Sequence, residues 1–192
     1  MSDDKVMDKV WVGVDPGFRG AIAAIYEDNT TITIPMPIFF SRVKNKPQST
    51  TIDGPVIKEF FSGLGAFNIQ NVLIEKAMVM PQQGIVSSAK FVAGQRFISG
   101  ICEGMGLHYQ EIRPTEWKRK VFGKSGKTNG TIKGDSMELV QKMFPEADIR
   151  KPSMDNTRRL KTISHDMAEA VLLAWYARCL DIGFPENLGR EE

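Results

Sequence analysis

Apolar positions along the chain change their spacing several times, and each change marks an element. Val10 to Val14 is a short apolar run that stops at the turn signal Asp15-Pro16-Gly17, and Ala21 to Tyr26 resumes it as the second arm of a hairpin. Thr30 to Ile34 alternates apolar and polar residues, which predicts a third strand. Pro35 and Pro37 then open a predicted loop through about Thr50, long enough to carry function. From Asp53 to Leu64 the apolar residues Val56, Ile57, Phe60, Phe61 and Leu64 fall at helical spacing. Asn71 to Ile74 reads as a fourth strand, ending on Glu75.

Between Ser87 and Glu103 the residues Ala89, Val92, Ala93, Phe97, Ile98 and Ile101 predict a helix with one apolar stripe. Leu107 to Ile112 follows as a fifth strand, and Pro114 is suited to begin a short helix through Val121. A Gly/Lys loop separates it from a helix over Asp135 to Phe144. Ser164 is a fitting N-cap for a last helix to Leu180, with Ala170, Leu173, Ala174 and Ala177 on its core stripe. The order is three strands, then helix, strand, helix, strand and three helices. A meander followed by alternating helix and strand predicts an α/β fold with a mixed sheet and helices on both faces.

Composition bounds the function classes. With 192 residues and 42% hydrophobic side chains, the chain can form one domain with an ordinary core. No apolar run approaches the roughly 18 to 20 residues that cross a bilayer, and Met1 to Lys9 is acidic rather than signal-like, so the expectation is an intracellular protein without membrane contact. Cys102 and Cys179 lack a CxxC pattern and read as reduced core thiols. The net charge of +2 conceals its distribution, because both ends are acidic and the body is correspondingly basic. Arg113, Lys118, Arg119, Lys120, Lys124, Lys127 and Lys133 form one basic stretch, Arg150, Lys151, Arg158, Arg159 and Lys161 a second, and Arg42, Lys44 and Lys46 a third. Any one of these could be ordinary solvated surface. Three of them in Gly-, Pro- or Ser-rich stretches point to a phosphate backbone.

Candidate chemistry lies at strand ends. Asp15 closes the first strand and Glu75 the fourth, the position where α/β sheets carry their sites. Asp15 before Pro-Gly could serve a turn alone, but Glu75 stands between apolar residues. At the start of the last helix, His165, Asp166 and Glu169 are spaced three and four apart, so they share a face that continues onto the core stripe. Acids there also suit the helix dipole. Four acids from three separated segments repel one another unless cations neutralise them, and hard oxygen ligands suit Mg²⁺ or Mn²⁺. Two such ions can activate water against a phosphodiester and stabilise the leaving oxygen.

The ordered set Gly13-Val14-Asp15-Pro16-Gly17 with Gly20-Ala21, Leu73-Ile74-Glu75-Lys76, and Asp166-Met167-Ala168-Glu169-Ala170 resembles the motifs of Holliday junction resolvases of the RuvC group. Pro81-Gln82-Gln83-Gly84, the segment from Pro114 to Trp117-Lys118, and His165 four before Glu169 are similar to the plant chloroplast and phage branch of that family. The resemblance spans about residues 10 to 180. It implies an RNase H-like fold with a five-stranded mixed sheet, a nuclease domain over 10–182, and short acidic tails at 1–9 and 183–192.

The resemblance further implies that Asp15, Glu75, Asp166 and Glu169 ligate Mg²⁺, with Mn²⁺ able to substitute and two ions per site. His165 and Asp166 remain alternatives for one ligand position. Lys118 and Lys133 match lysines set against the scissile phosphate, and Met78 stands where relatives carry a wedge residue, although a plain core methionine fits there equally. Lys76, Arg113, Arg119, Lys120, Lys124, Lys127, Arg158 and Arg159 complete the expected DNA surface. A homodimer is implied by the two-fold symmetry of a four-way junction, with Phe91, Gln95 and Ile98 on the helix after Ser87 facing either a partner or the core. Such a protein works inside the cell, in the host cytoplasm if phage-encoded. Competing readings are an RNase H-like nuclease for forks or flaps and a non-catalytic DNA-binding module. An actin-like ATPase would need a duplicated domain for which 192 residues leave no room.

Overall fold

The opening hairpin and third strand form as their spacing predicts: β1 (Val10–Asp15), β2 (Ala21–Tyr26) and β3 (Thr31–Pro35) make an antiparallel meander. A computed structural model describes residues 8–43, 46–65, 68–78, 84–122, 132–153 and 158–185. Numbering in chain order, the remaining elements are β4 (Ile38–Val43), β5 (Lys46–Ile52), α1 (Gly54–Gly63), β6 (Ile69–Glu75), α2 (Ile85–Gly104), β7 (Tyr109–Ile112), α3 (Pro114–Phe122), α4 (Ile132–Met143), β8 (Arg150–Pro152), β9 (Arg159–Ile163) and α5 (His165–Ile182).

The central sheet has the order β3-β2-β1-β6-β7, with β6 parallel to β1 and β7 parallel to β6. Three antiparallel strands continued by two parallel ones, with helices on both faces, is the RNase H-like arrangement. β1 is apolar on both sides because both are covered. Trp11 joins Leu73 and Ile112 under α3, α4 and α5, while Val12 and Val14 join Val72 and Ile74 under α1 and α2. From Met167 to Ala177 every residue of α5 is buried, more than one stripe's worth, because the helix lies between the sheet and the helices α3 and α4.

Two hairpins replace predicted loop. β4 and β5 pair antiparallel across the stretch expected to be a loop from Pro35, with a register irregularity at Ser41/Arg42 opposite Pro47. The β-branched run Thr50-Thr51-Ile52 favours the strand, and an isolated two-stranded ribbon tolerates proline better than a central strand does. β8 and β9 form the second ribbon within the basic stretch after α4.

On α2 the buried face is also not the predicted stripe. Gln95 and Ser99 are buried with Ile98 and Cys102, whereas Phe97 is 48% exposed. The Ser99 hydroxyl donates to the Gln95 carbonyl and Gln95 Oε1 accepts the Ala77 N–H at 2.9 Å, which satisfies part of the buried pair, while Gln95 Nε2 has no partner among the described residues. Gln95 and Ile98, expected at a partner interface or in the core, are therefore spent on the monomer. Phe91 is half-buried near Gly17. Among the described residues no helix is long and apolar enough to cross a membrane.

Candidate active site at the sheet edge

Parallel pairing aligns Val14 with Ile74, so Asp15 and Glu75 are the next residues on neighbouring strands at one end of the sheet. Side chains two apart share a face, which puts Asp15 with Gly13 and Glu75 with Leu73. That face is the one α5 covers. The helix runs antiparallel to β1: Asp181 near its end accepts the Trp11 indole N–H at 3.2 Å, and its middle lies over Gly13. A Cβ on Gly13 would stand 2.2 Å from the Ala174 nitrogen and 2.3 Å from the Ala170 oxygen, so glycine is what allows this approach. The first turn of α5, capped by Ser164 accepting the Met167 N–H, then projects over Asp15.

The β1–β2 turn fixes the aspartate. The Gly17 N–H donates to Asp15 Oδ1 at 3.2 Å, and the Gly20 N–H to the Gly17 carbonyl at 2.8 Å. A side chain on Gly20 would sit 2.1 Å from the Asp15 carbonyl oxygen. From the other side, α3 reaches the acids with consecutive residues. Fully buried Trp117 donates its indole N–H to Glu75 Oε2 at 2.8 Å, and Lys118 Nζ contacts Glu169 Oε1. His165 Nε2 approaches the same Glu169 oxygen at 3.3 Å, although neither contact aligns as a hydrogen bond.

The electrostatics reflect burial first and crowding second. Burial pushes the Asp15 carboxyl from 3.8 up to about 8, helped by repulsion from Glu75, Glu169 and Asp166 and opposed by the Gly17 N–H. Asp15 keeps some exposed surface as a residue, but its carboxyl group is enclosed. Glu75 is raised from 4.5 to about 7, again chiefly by burial and further by Glu169, against the pull of Lys118 and the Trp117 hydrogen bond. Crowded carboxylates of this kind are the donor set a hard divalent cation takes. Among the described residues no three His, Cys, Asp or Glu side chains stand in ligating arrangement, so binding would require them to turn toward a common point.

Asp15, Glu75, His165, Asp166, Glu169 and Lys118 are thus brought together. Trp117 carries a role that sequence reasoning does not assign; the available signal is that a buried indole N–H needs an acceptor. Of the expected DNA surface, Lys76 and Met78 are exposed just beyond Glu75, and Arg113, Arg119 and Lys120 are exposed on or beside α3. Lys120 Nζ lies 4.8 Å from the Phe184 ring, away from the acids. Lys124 and Lys127 fall outside the described residues, and Lys133 is in the first turn of α4. Arg158 is exposed before β9, whereas Arg159 is bound: it donates to the Thr33 carbonyl at 2.9 Å and faces Asp148 at 3.6 Å.

No protein-family profile matches the sequence, and no curated protein matches it. Among solved structures the fold is similar to Thermus thermophilus RuvC at 13% identity and a TM-score of 0.47, over 91% of this chain and 96% of that one. The same protein in complex with a Holliday junction substrate matches at 12% identity and a TM-score of 0.47, covering 91% of this chain and 96% of that one. The yeast mitochondrial Holliday junction resolvase Ydc2 matches at 15% identity and a TM-score of 0.43, over 90% of this chain and 80% of that one.

Proposed function

We propose that this chain is a divalent-cation-dependent endonuclease that resolves four-way DNA junctions, acting as a homodimer to make paired, symmetric nicks. The observation that carries the reading is the convergence of Asp15, Glu75, Asp166 and Glu169 at one edge of the sheet, with Lys118 among them. The motif resemblance supplies the substrate class, and the exposed cations beside α3 and β6 supply backbone contacts.

Asp15, Glu75, Asp166 and Glu169, with His165 as the alternative to Asp166, would hold Mg²⁺ or Mn²⁺. When bound, such cations activate water against the phosphodiester and stabilise the leaving oxygen. The chain's own contribution is positional. The Gly17 N–H and Trp117 indole hold one oxygen each of Asp15 and Glu75, so the second oxygen of each is the one a cation would take. Lys118 balances Glu169 in the free protein and is a ready donor to a phosphate oxygen once that carboxylate is engaged elsewhere.

The test is cutting of an immobile four-way junction, a replication fork and a linear duplex in Mg²⁺, Mn²⁺ or EDTA. Paired symmetric nicks confined to the junction and abolished by EDTA support the proposal. Equal cutting of all three would make it a structure-tolerant nuclease, and junction binding without cutting in any metal would make it a binding module.

A further inference from the structure

Beside the acidic cluster the surface opens into a cleft of about 330 Å³. Its walls come from four segments distant in sequence. The β1–β2 turn gives Phe18 and Arg19, the β3–β4 connection Met36, β8 gives Lys151, and the first turn of α5 gives Asp166. The last residue belongs to both the cleft and the proposed catalytic group. Half-buried Phe18, Pro35 and Ile38 give the cleft an apolar side over the buried Met36, Ser164 and Asp166 make its lining partly polar, and Arg19 and Lys151 are exposed at the rim.

The two cations differ from several arginines of the fold, although Arg158 beside β8 is likewise exposed without a carboxylate partner among the described residues. Arg150 is held by Asp148, Arg159 by Asp148 and the Thr33 carbonyl, and Arg178 by Asn29 and the Tyr26 carbonyl. Arg19 and Lys151 have no carboxylate partner among the described residues. A partly apolar lining with unpaired cations at its rim matches the chemistry of a nucleotide: a base to bury and a phosphate to neutralise. A volume near 330 Å³ admits one such unit rather than a base pair. A base inside a stacked duplex could not enter it, whereas a branch point offers nucleotides that leave the stack at lower cost.

We infer that this cleft seats one unstacked nucleotide of the cut strand, adjacent to the phosphate under attack, with its base on Phe18 and Ile38 and its backbone held by Arg19 and Lys151. The inference rests on the nuclease reading above and adds to it a reason for preferring branched DNA. It also locates a place where base identity can be sensed, on residues outside the catalytic group.

The experiment uses a four-way junction carrying 2-aminopurine at each nucleotide flanking the cut, with wild-type protein and Arg19→Ala/Lys151→Ala. Both positions are exposed, so the variant should keep the wild-type melting temperature. In a Glu75→Gln background, which holds the junction uncut, probe fluorescence should rise severalfold on binding at one flanking position. The double variant should lose that rise and bind about tenfold more weakly. In the active protein it should raise KM with kcat largely kept. A probe that stays quenched in complexes of a protein that cuts normally, or a double variant with wild-type KM, overturns the cleft assignment alone. If wild-type protein cuts no junction in Mg²⁺, the nuclease reading fails and this inference with it.

Discussion

Replacing Asp15 by Asn should stabilise the metal-free protein, and by an amount that depends on pH. The carboxyl is raised from 3.8 to about 8 by burial and by the acids around it. At roughly 1.4 kcal/mol per pKa unit, ionising it in the fold costs at most ~6 kcal/mol above pH 8. Part of that cost comes from Glu75 and persists among the remaining acids, and taking a buried amide out of water also costs free energy, so a net gain on the order of 2 kcal/mol is expected. The folded carboxyl holds its proton more tightly than the unfolded one, so stability falls as pH rises between 3.8 and about 8 and levels off above that. Asparagine removes this titration and can still accept the Gly17 N–H. At pH 8.5 in EDTA the variant should melt roughly 4 to 8 °C higher than wild type. At pH 5 the gap should shrink to about a third, because little of the window has been crossed. Adding Mg²⁺ at pH 8.5 should raise the wild-type midpoint and narrow the gap, since a ligand bound by the native state stabilises it. A variant less stable than wild type at pH 8.5, or a gap unchanged from pH 5 to 8.5, would refute the claim that the fold opposes ionisation of Asp15, first by burial and then by the acids around it.

Three further outcomes follow from single contacts. Gly13→Ala puts a methyl group into the backbone of α5 and should cost about 3 kcal/mol or more, read as a lower urea midpoint or loss of soluble protein. Trp117→Phe removes a donor that favours ionised Glu75, so in the metal-free protein its carboxyl should rise further above about 7, read by NMR titration of the glutamate carboxyl in EDTA. Arg159→Ala should lower stability by about 1 to 3 kcal/mol through loss of its Thr33 and Asp148 contacts, while junction affinity changes less than in Arg19→Ala/Lys151→Ala.

The central sheet was legible because β1, β2 and β6 carry apolar runs and β3 alternates, and Asp15 and Glu75 stand where the runs of β1 and β6 stop. Gly13 and Gly20 sit in the opening motif, but only the packed helix and the closed turn show why no side chain fits there. The two hairpins were not legible. They lie outside the main sheet, so no alternation of core and solvent residues marks them, and their prolines and cations read as loop. The α2 face was misjudged because hydrophobicity alone cannot show that Gln95 and Ser99 find partners inside. The cleft was hidden for a different reason. Phe18, Met36, Lys151 and Asp166 lie in separate segments, and only tertiary structure puts them on one wall.

The central claim is that the acids at the sheet edge cut junctions with a divalent cation, and the most direct measurement is single-turnover cleavage of a four-way junction in Mg²⁺ by wild-type protein and Glu75→Gln. Wild type should make paired symmetric nicks and Glu75→Gln should cut at a rate at least about 10²-fold lower, with junction binding retained. Wild-type rates in Glu75→Gln, or cleavage that survives EDTA, would contradict it.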